Sequence, residues 1–457
     1  MRARSTASGL ALALIAAACG GGGAGGVGDN TPQGEEITAA PSDAQASLFV
    51  FGATYETGDE IAKTRVDRFQ ELYPSVDVEF SESGFEEQPF LSALASGDPP
   101  DVVNIPRNQL GTFIARGVLD PLDSCLEAEG IDMGVFYESA VEQVTVEGVA
   151  YAVPEFFNSR LWMINTKAFE DAGLNPDEFD FSDWDAIADA NEKLTKGGNR
   201  PTRLGIDPKL PEFLPLWAVA NGTPVISDDG MESQLDDPAV AEALEFANSL
   251  HEPAGGRTSF LDFRDTWDFF GAKNQFAQDQ LAAMPMEQWY LTVLAEASPD
   301  VDLTVRPFET RDGEPITWAD GNSWAIPAES QDKAAACAFI RAMTEKDAWL
   351  AAAEARAQTA KKENQPNTGV YTGNREADEE IFANLDLGEW PWLEEAVQVV
   401  RDVQEHAWSL PPSPASAQFE NAYKAAGDEV MNQGTDAEQV LTQADERVQR
   451  EIDRAAR

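Results

Sequence analysis

The chain has 457 residues, long enough for two lobes or two cores in series rather than a single small domain. Acidic residues outnumber basic ones 81 to 32, a formal net charge of -49, so nucleic acid and anionic membrane surfaces are excluded as partners by repulsion over most of the surface. An apolar content of 43% with 11 Trp belongs to a globular body, and beyond the N-terminus no stretch is long and apolar enough to span a bilayer.

At the start of the chain Arg2 and Arg4 precede an apolar run from Leu10 to Ala18, then Cys19 and a glycine run. Short basic and apolar segments in that order make an export signal, not part of the fold. Ala16, Ala17 and Ala18 before Cys19 resemble a bacterial lipobox, with Ala16 where such motifs carry Leu. The resemblance implies a signal peptide over residues 1–18, lipidation of Cys19 and an extracytoplasmic protein tethered to the cell membrane through its acyl chains. Residues 19–46, rich in Gly, Ala, Pro, Ser and acids without hydrophobic periodicity, read as a flexible linker.

The body opens with a buried strand over Ser47–Ala53 and a helix carrying Ile61, Val66, Phe69 and Leu72. A strand over Val76–Phe80, a helix to Gly97, a strand over Asp101–Ile105 and a helix ending at Gly117 follow. Strands alternating with helices predict an α/β parallel sheet with right-handed crossovers, in which ligands sit beyond the carboxyl ends of the strands. Those ends, Gly52–Thr57, Ser81–Phe85 and Asn104–Gln109, are rich in Tyr, Glu, Ser, Asn and Arg.

Six segments then occur in order: ASGDPPDVV (Ala95–Val103) with GVLDPLD (Gly117–Asp123), VEGVAYAVP through MINTKAFEDAGL (Val146–Leu174), LAAMPMEQW (Leu281–Trp289), WADGNSWAIPAESQDKAAACAFI (Trp318–Ile340) and SLPPSPA (Ser409–Ala415). Together they resemble the family 1 extracellular solute-binding proteins, the sugar-binding lipoproteins of ABC importers related to maltose-binding protein. The resemblance implies a two-lobed periplasmic-binding-protein fold with three hinge crossings and a ligand cleft between the lobes. Crossings near Pro154–Arg160, Val301–Arg306 and Met343–Lys346 would place residues 47–154 and 307–343 in the first lobe, and 155–306 and 344–457 in the second. It also implies a monomer that is no enzyme and needs no cofactor, handing a sugar to the permease subunits and reaching the ATPase subunit only through them.

His251 and His406 have no companions at metal-ligand spacing and read as surface or cap residues, and no nucleotide-binding motif is present, so neither a metal site nor a catalytic residue is assigned. Paired carboxylates keep a glycoside hydrolase as a distant alternative. A pyranose presents an apolar face and a rim of hydroxyls, so its site needs an aromatic face beside planar hydrogen-bonding groups. The resemblance brings Trp289 from the second lobe, and Trp318 with Asp320 from the first, to the cleft; Trp217 and Trp408 are further candidates, while Trp162, Trp184, Trp324 and Trp349 read as packing. An extended hinge segment would turn Phe156, Asn158 and Arg160 to one side, with Asn158 where maltose-binding protein carries a ligand-binding carboxylate. Tyr55, Glu56, Asn104 and Arg107 occupy the strand ends of the first lobe. Arg107 and Arg160 either pair with local acids or select an anionic sugar, and a sensor would carry the same cleft. Cys125 and Cys337 are either a disulfide or two buried thiols.

Overall fold

The computed structural model describes residues 34, 36–55, 59–385, 387 and 390–457. Cys19 and the export signal therefore lie outside the described residues, as does Glu56. The first strand, β1 (Ala46–Gly52), alternates between two faces: Leu48 and Val50 enter one apolar core, and Phe51 enters another on the opposite face. Asp59 caps helix α1 (Glu60–Leu72), accepting from the backbone N–H of Ile61 at 2.9 Å and Ala62 at 3.1 Å. Strand β2 (Val76–Gly84), helix α2 (Glu87–Ser96), strand β3 (Val102–Pro106) and helix α3 (Arg107–Ala115) complete the expected series. β1 pairs in parallel with β2 and with β3, and the five-stranded sheet is finished by the antiparallel strands Asn322–Ala325 and Val153–Pro154.

A second, six-stranded sheet runs in the order Ala407–Trp408, Pro315–Trp318, Leu303–Glu309, Arg160–Asn165, Leu281–Glu287, Leu204–Ile206. Its inner strand Arg160–Asn165 is buried along its whole length, with Trp162 and Ile164 facing one core and Leu161 and Met163 another. The fold is α/β and two-lobed, one sheet to each lobe.

Two of the expected crossings move. Val301–Arg306 is no crossing, because Leu303–Glu309 pairs antiparallel with Arg160–Asn165 and Pro315–Trp318 pairs with it in turn; the chain returns to the first sheet only after Trp318. Met343–Lys346 is none either. The helix Lys346–Glu363 stays on the first lobe, where the Arg65 guanidinium of α1 lies 3.9 Å over the Trp349 ring and Arg356 pairs with Glu60. Return to the second lobe comes with the helix Pro391–Gln404, whose Ala396 and Val400 pack against Leu303 and Val305. Pro154–Arg160 runs from Val153–Pro154 of the first sheet to Arg160–Asn165 of the second.

Cys125 on the helix Asp123–Glu129 and Cys337 on the helix Lys333–Thr344 form a disulfide within the first lobe, with Cα atoms 5.8 Å apart. Trp162, Trp184, Trp324 and Trp349 are all buried. His406 is exposed, and His251 is a cap residue, at the N-cap of the short 3-10 helix Glu252–Ala254; it is buried with its ring 4.5 Å from that of Phe260, and desolvation pushes its pKa down to about 4.

Candidate functional site

Two links join the sheets, Glu155–Ser159 and Ala319–Gly321, and they run antiparallel to each other. The Asn158 N–H donates to the Asp320 carbonyl at 2.7 Å, and the Asp320 N–H donates to the Asn158 carbonyl at 3.2 Å. Phe156, Asn158, Arg160, Trp318 and Asp320 are thereby brought to one place. Trp318 does not face Trp289 from the first lobe, however, because it ends a strand of the second sheet, as does Arg160 at the start of its own strand.

Arg160 is buried between two aromatic faces, its guanidinium 4.0 Å over the Trp318 ring and 4.9 Å over Phe213. Nη1 donates to the Trp318 carbonyl at 2.9 Å, and Nη2 to Asp320 Oδ2 at 2.7 Å with Glu287 Oε1 at 3.4 Å. Burial alone would lower this guanidinium, yet the charges of Asp320 and Glu287 outweigh it and hold Arg160 above its ordinary value. Burial likewise opposes ionisation of Asp320, and Arg160 overcomes it, keeping the carboxyl below the usual range.

Arg107, the first residue of α3, is also buried. Nε donates to Gln143 Oε1 at 2.9 Å, and Nη1 to the carbonyls of Phe156 at 2.7 Å and Asn322 at 3.0 Å. Burial pushes its pKa down to about 10, against the pull of Asp320 and Glu155. The guanidinium fits there because Gly321, at φ 148°, has no side chain: a Cβ would lie 2.2 Å from the Phe156 carbonyl oxygen and 2.8 Å from Nη1. Arg160 is therefore paired with local acids, one of the two readings the sequence left open, whereas Arg107 is held by an amide and two carbonyls with Asp320 and Glu155 acting on it through space.

Asn104 is buried and faces inward, donating to Glu155 Oε2 at 2.6 Å and accepting from Asn322 Nδ2 at 2.7 Å, while Arg65 Nη1 donates to Glu155 Oε1 at 3.1 Å. Its amide is spent on the hinge rather than offered to a solute. Trp217 is also removed from the candidates. It is fully buried against Trp162, Trp184 and Phe308, and its Nε1 donates to the Pro208 carbonyl at 2.9 Å. Trp408 is half-buried beside Trp318, at 6.5 Å between rings. Tyr55 is half-buried at the end of β1, stacked 5.4 Å from Phe80.

Trp289 begins the helix Trp289–Ala297 and is partly exposed, with Phe270 nearly parallel at 6.2 Å and Tyr290 edge-on at 5.7 Å. Lys209 Nζ lies 5.8 Å from the Phe213 ring and 5.9 Å from the Phe269 ring, so one cation bridges the aromatic groups around Arg160 and around Trp289. Gln288 holds this wall to the hinge: its Oε1 accepts from the Ser159 N–H at 2.6 Å and its Nε2 donates to the Phe157 carbonyl at 2.6 Å. Sequence reasoning missed Gln288, Glu155 and Phe213. The first two stood beside chosen residues, but strand alternation directed attention to Phe156, Asn158 and Arg160; nothing in the sequence distinguished Phe213.

Five buried atoms in this region, Arg107 Nη2, Asn158 Oδ1, Arg160 Nε, Trp318 Nε1 and Asp320 Oδ1, have no hydrogen-bond partner among the described residues. Each such group costs about 1–3 kcal/mol if left unmatched, so together they mark a place that needs water or a polar solute. The cations there, Arg65, Arg107 and Arg160, are balanced by Glu155, Asp320 and Glu287.

Residues 64–368 match the family of bacterial extracellular solute-binding proteins. The chain belongs to that family. Membership places this solute-binding protein outside the cytoplasm, and no helix among the described residues is long and apolar enough to cross a membrane. It is similar to the diacetylchitobiose-binding protein DasA of Streptomyces coelicolor, 28% identical over 169 residues that cover 35% of this chain and 36% of that protein, so the match spans about a third of the relative's length. The maltotriose-binding protein of Pyrococcus abyssi is 20% identical over 406 residues, covering 85% of this chain and 79% of that one. Among solved structures, mannobiose-bound CpMnBP1 superposes with a TM-score of 0.72 at 21% identity, over 89% of this chain and 100% of its own, which is a likeness of fold.

Proposed function

We infer that this solute-binding protein is the capture subunit of an ABC importer for a neutral sugar or short oligosaccharide, which it encloses by hinge closure and hands to the permease subunits. The observation that carries this reading is the hinge site, where unpartnered polar atoms lie beside aromatic faces, Arg65 and Arg160 are already paired with carboxylates, and Arg107, held by Gln143 and two carbonyls, feels the charges of Asp320 and Glu155. A neutral polyol satisfies orphaned donors and acceptors without adding charge. An anion would be placed beside Glu155, Asp320 and Glu287 and repelled by them. Relatives named for diacetylchitobiose and maltotriose support the same class of ligand. Trp289 and Tyr55 would meet ring faces; Asn158 Oδ1, Arg107 Nη2 and Trp318 Nε1 would meet hydroxyls. In this reading the protein binds and releases without chemistry, acts as a monomer, and is tethered to the membrane by lipid on Cys19 after removal of residues 1–18.

A thermal-shift screen of mono-, di- and trisaccharides tests the reading, because a ligand at one hundred times its dissociation constant stabilises the protein by about 2.7 kcal/mol. A shift with a neutral sugar, unchanged as salt is raised, is expected. Shifts only with uronates or sugar phosphates, weakening with salt, would overturn it.

A further inference from the structure

We propose that Gly34 and residues 36–45 form a strap locked along the helix Asp123–Glu129, which shortens the membrane tether and anchors the protein through the first lobe. The proposal rests on the reading of Cys19 as the lipid anchor. The composition before β1 is that of a linker, with one exception: Ile37 is the only large apolar side chain between Gly28 and Ala46. That side chain is 4% exposed and enters the apolar core that also holds Leu122 and Cys125, while Glu36, Thr38 and Ala39 beside it face solvent. A single buried isoleucine acts as a peg, because it removes an aliphatic surface from water without requiring a helix or strand around it.

Backbone contacts hold the peg in register. Gly34 passes so close to Pro121 that a Cβ would lie 2.9 Å from the proline Cδ. The Ile37 N–H donates to Ser124 Oγ at 3.0 Å, and the Ala40 N–H donates to Glu129 Oε1 at 3.2 Å. Positions 34, 37 and 40 thus follow positions 121, 124 and 129, and the segment runs beside the helix as far as its last residue. A turn closed by the Ala44 N–H on the Pro41 carbonyl at 2.9 Å leads on into β1, with Ala40 and Ala44 packed against the same core.

The helix Asp123–Glu129 has only seven residues, too few to be stable alone, and it is fastened twice to the helix Lys333–Thr344. Cys125 is bonded to Cys337, and Glu129 Oε2 accepts from Arg341 Nε at 2.9 Å. A pull on the strap is therefore carried by the body of the first lobe and not by a loose end. Pro121, Ser124 and Glu129 all belong to that lobe, so the second lobe is left to move on closure. Held, the strap withdraws positions 34–45 from the tether; released, those twelve positions at about 3.3–3.6 Å each would add up to about 40 Å to its reach.

The mature lipoprotein, purified from membranes and reconstituted in phosphatidylcholine vesicles that carry an acceptor-labelled lipid, tests this with a donor dye at Glu71→Cys, an exposed position of α1. Mass analysis reads whether Cys19 is the acylated N-terminus. With the wild-type strap, the amides at 37 and 40 should exchange at least about tenfold slower than in an unstructured peptide of the same sequence. Ile37→Asp, or Ala40→Pro if the first variant does not fold, should release the strap and lower energy transfer from the dye to the membrane as the tether lengthens. Ser124→Ala leaves the strap sequence intact and should speed exchange of the Ile37 amide about two- to tenfold through loss of one hydrogen bond. Wild-type amides that exchange as in the free peptide, or a Ser124→Ala variant with unchanged exchange at Ile37, overturn the strap. Amides released with energy transfer unchanged overturn its hold on the tether and leave the lipid-anchor reading standing. A mature chain without acyl groups on Cys19 overturns the anchor reading and the tether role with it.

Discussion

Gly111 in α3 packs directly on the backbone of Ser413, and replacing it by alanine tests whether the lobes meet there when a solute is held. A Cβ at this position would lie 2.3 Å from the Ser413 carbonyl oxygen, 2.6 Å from its nitrogen and 2.9 Å from its carbonyl carbon, all backbone atoms that cannot rotate away. Ser413 precedes the helix Ser416–Gln433, whose Phe419, Ala422 and Tyr423 pack in the second lobe, so the added methyl forces the lobes apart. Around it, Asn108 Nδ2 donates to Glu420 Oε2 at 3.0 Å, the Ala417 N–H to Thr112 Oγ1 at 3.1 Å, and Gln143 Nε2 to the Leu410 carbonyl at 3.3 Å. At about 0.5–1.5 kcal/mol net each, losing these costs about 1.5–4.5 kcal/mol of the closed form, or about tenfold to a thousandfold in affinity. Each lobe keeps its own core, and alanine favours the helix by about 1 kcal/mol, so folding should survive. Gly111→Ala should therefore raise the Kd for the sugar found by thermal shift at least tenfold, abolish ligand-induced compaction in small-angle scattering, and leave the unfolding midpoint close to wild type. Wild-type affinity and compaction in this variant would refute an interlobe role for the contact.

Trp289→Ala should weaken sugar binding by about 1–3 kcal/mol in calorimetric titration without lowering stability, since its ring is only partly buried. Cys337→Ala should lower stability by about 2–5 kcal/mol in urea unfolding, because the bond to Cys125 closes a loop of 212 residues, and reductant should lower wild type by a similar amount and leave the variant unchanged. Asp378 accepts from the Thr372 N–H at 2.9 Å and the Tyr137 hydroxyl at 2.9 Å, and its burial pushes the carboxyl up to about 8. A raised folded-state pKa contributes stability that is complete below the unfolded value near 4 and is lost as pH rises through about 8. Stability attributable to Asp378 should fall by about 2 kcal/mol between pH 6.5 and 8, and Asp378→Asn should flatten that slope in urea titrations.

The first βαβ units were legible because β1 to β3 carry buried apolar runs and α1 to α3 an apolar stripe, and these periods depend on local geometry. Lobe boundaries after residue 300 were not. Leu303–Glu309 reads as a strand in either sheet, and only its pairing with Arg160–Asn165 decides which. Helix Lys346–Glu363 was assigned away from α1 because a salt bridge from Arg356 to Glu60 has no signature in sequence. At the site, Arg107, Arg160 and Asp320 could be singled out by position, but the pairing of Arg160 with Asp320 depends on the antiparallel apposition of two links more than 150 residues apart, the two residues being separated by 160 positions. Trp217 misled for a simpler reason: an aromatic beside a polar turn looks the same whether its nitrogen meets a ligand or, as here, the carbonyl of Pro208.

The two arginines also locate the pivot. Arg160 grips Trp318 and Asp320 and so ties the end of the second link to the second sheet, reinforced by the Arg160 N–H donating to Thr317 Oγ1 at 2.6 Å. Arg107 grips Phe156 and Asn322 and ties the outer end of each link to the first sheet. A buried ion pair adds little net stability after its desolvation cost, but it fixes geometry, and here the two sets of fixed contacts leave a short stretch between them. Bending of these two links then centres on Asn158 and Asp320, whose backbones exchange two hydrogen bonds, while the Phe157 carbonyl is held by Gln288 and the Gly321 carbonyl by the Arg107 N–H. In hydrogen exchange, the Asn158 and Asp320 amides should exchange faster than those of Arg107 and Arg160 without sugar, and should gain protection when it binds, because closure holds the links in one arrangement. Asn158 and Asp320 amides as protected as the buried strand Arg160–Asn165, and unresponsive to sugar, would place the pivot elsewhere.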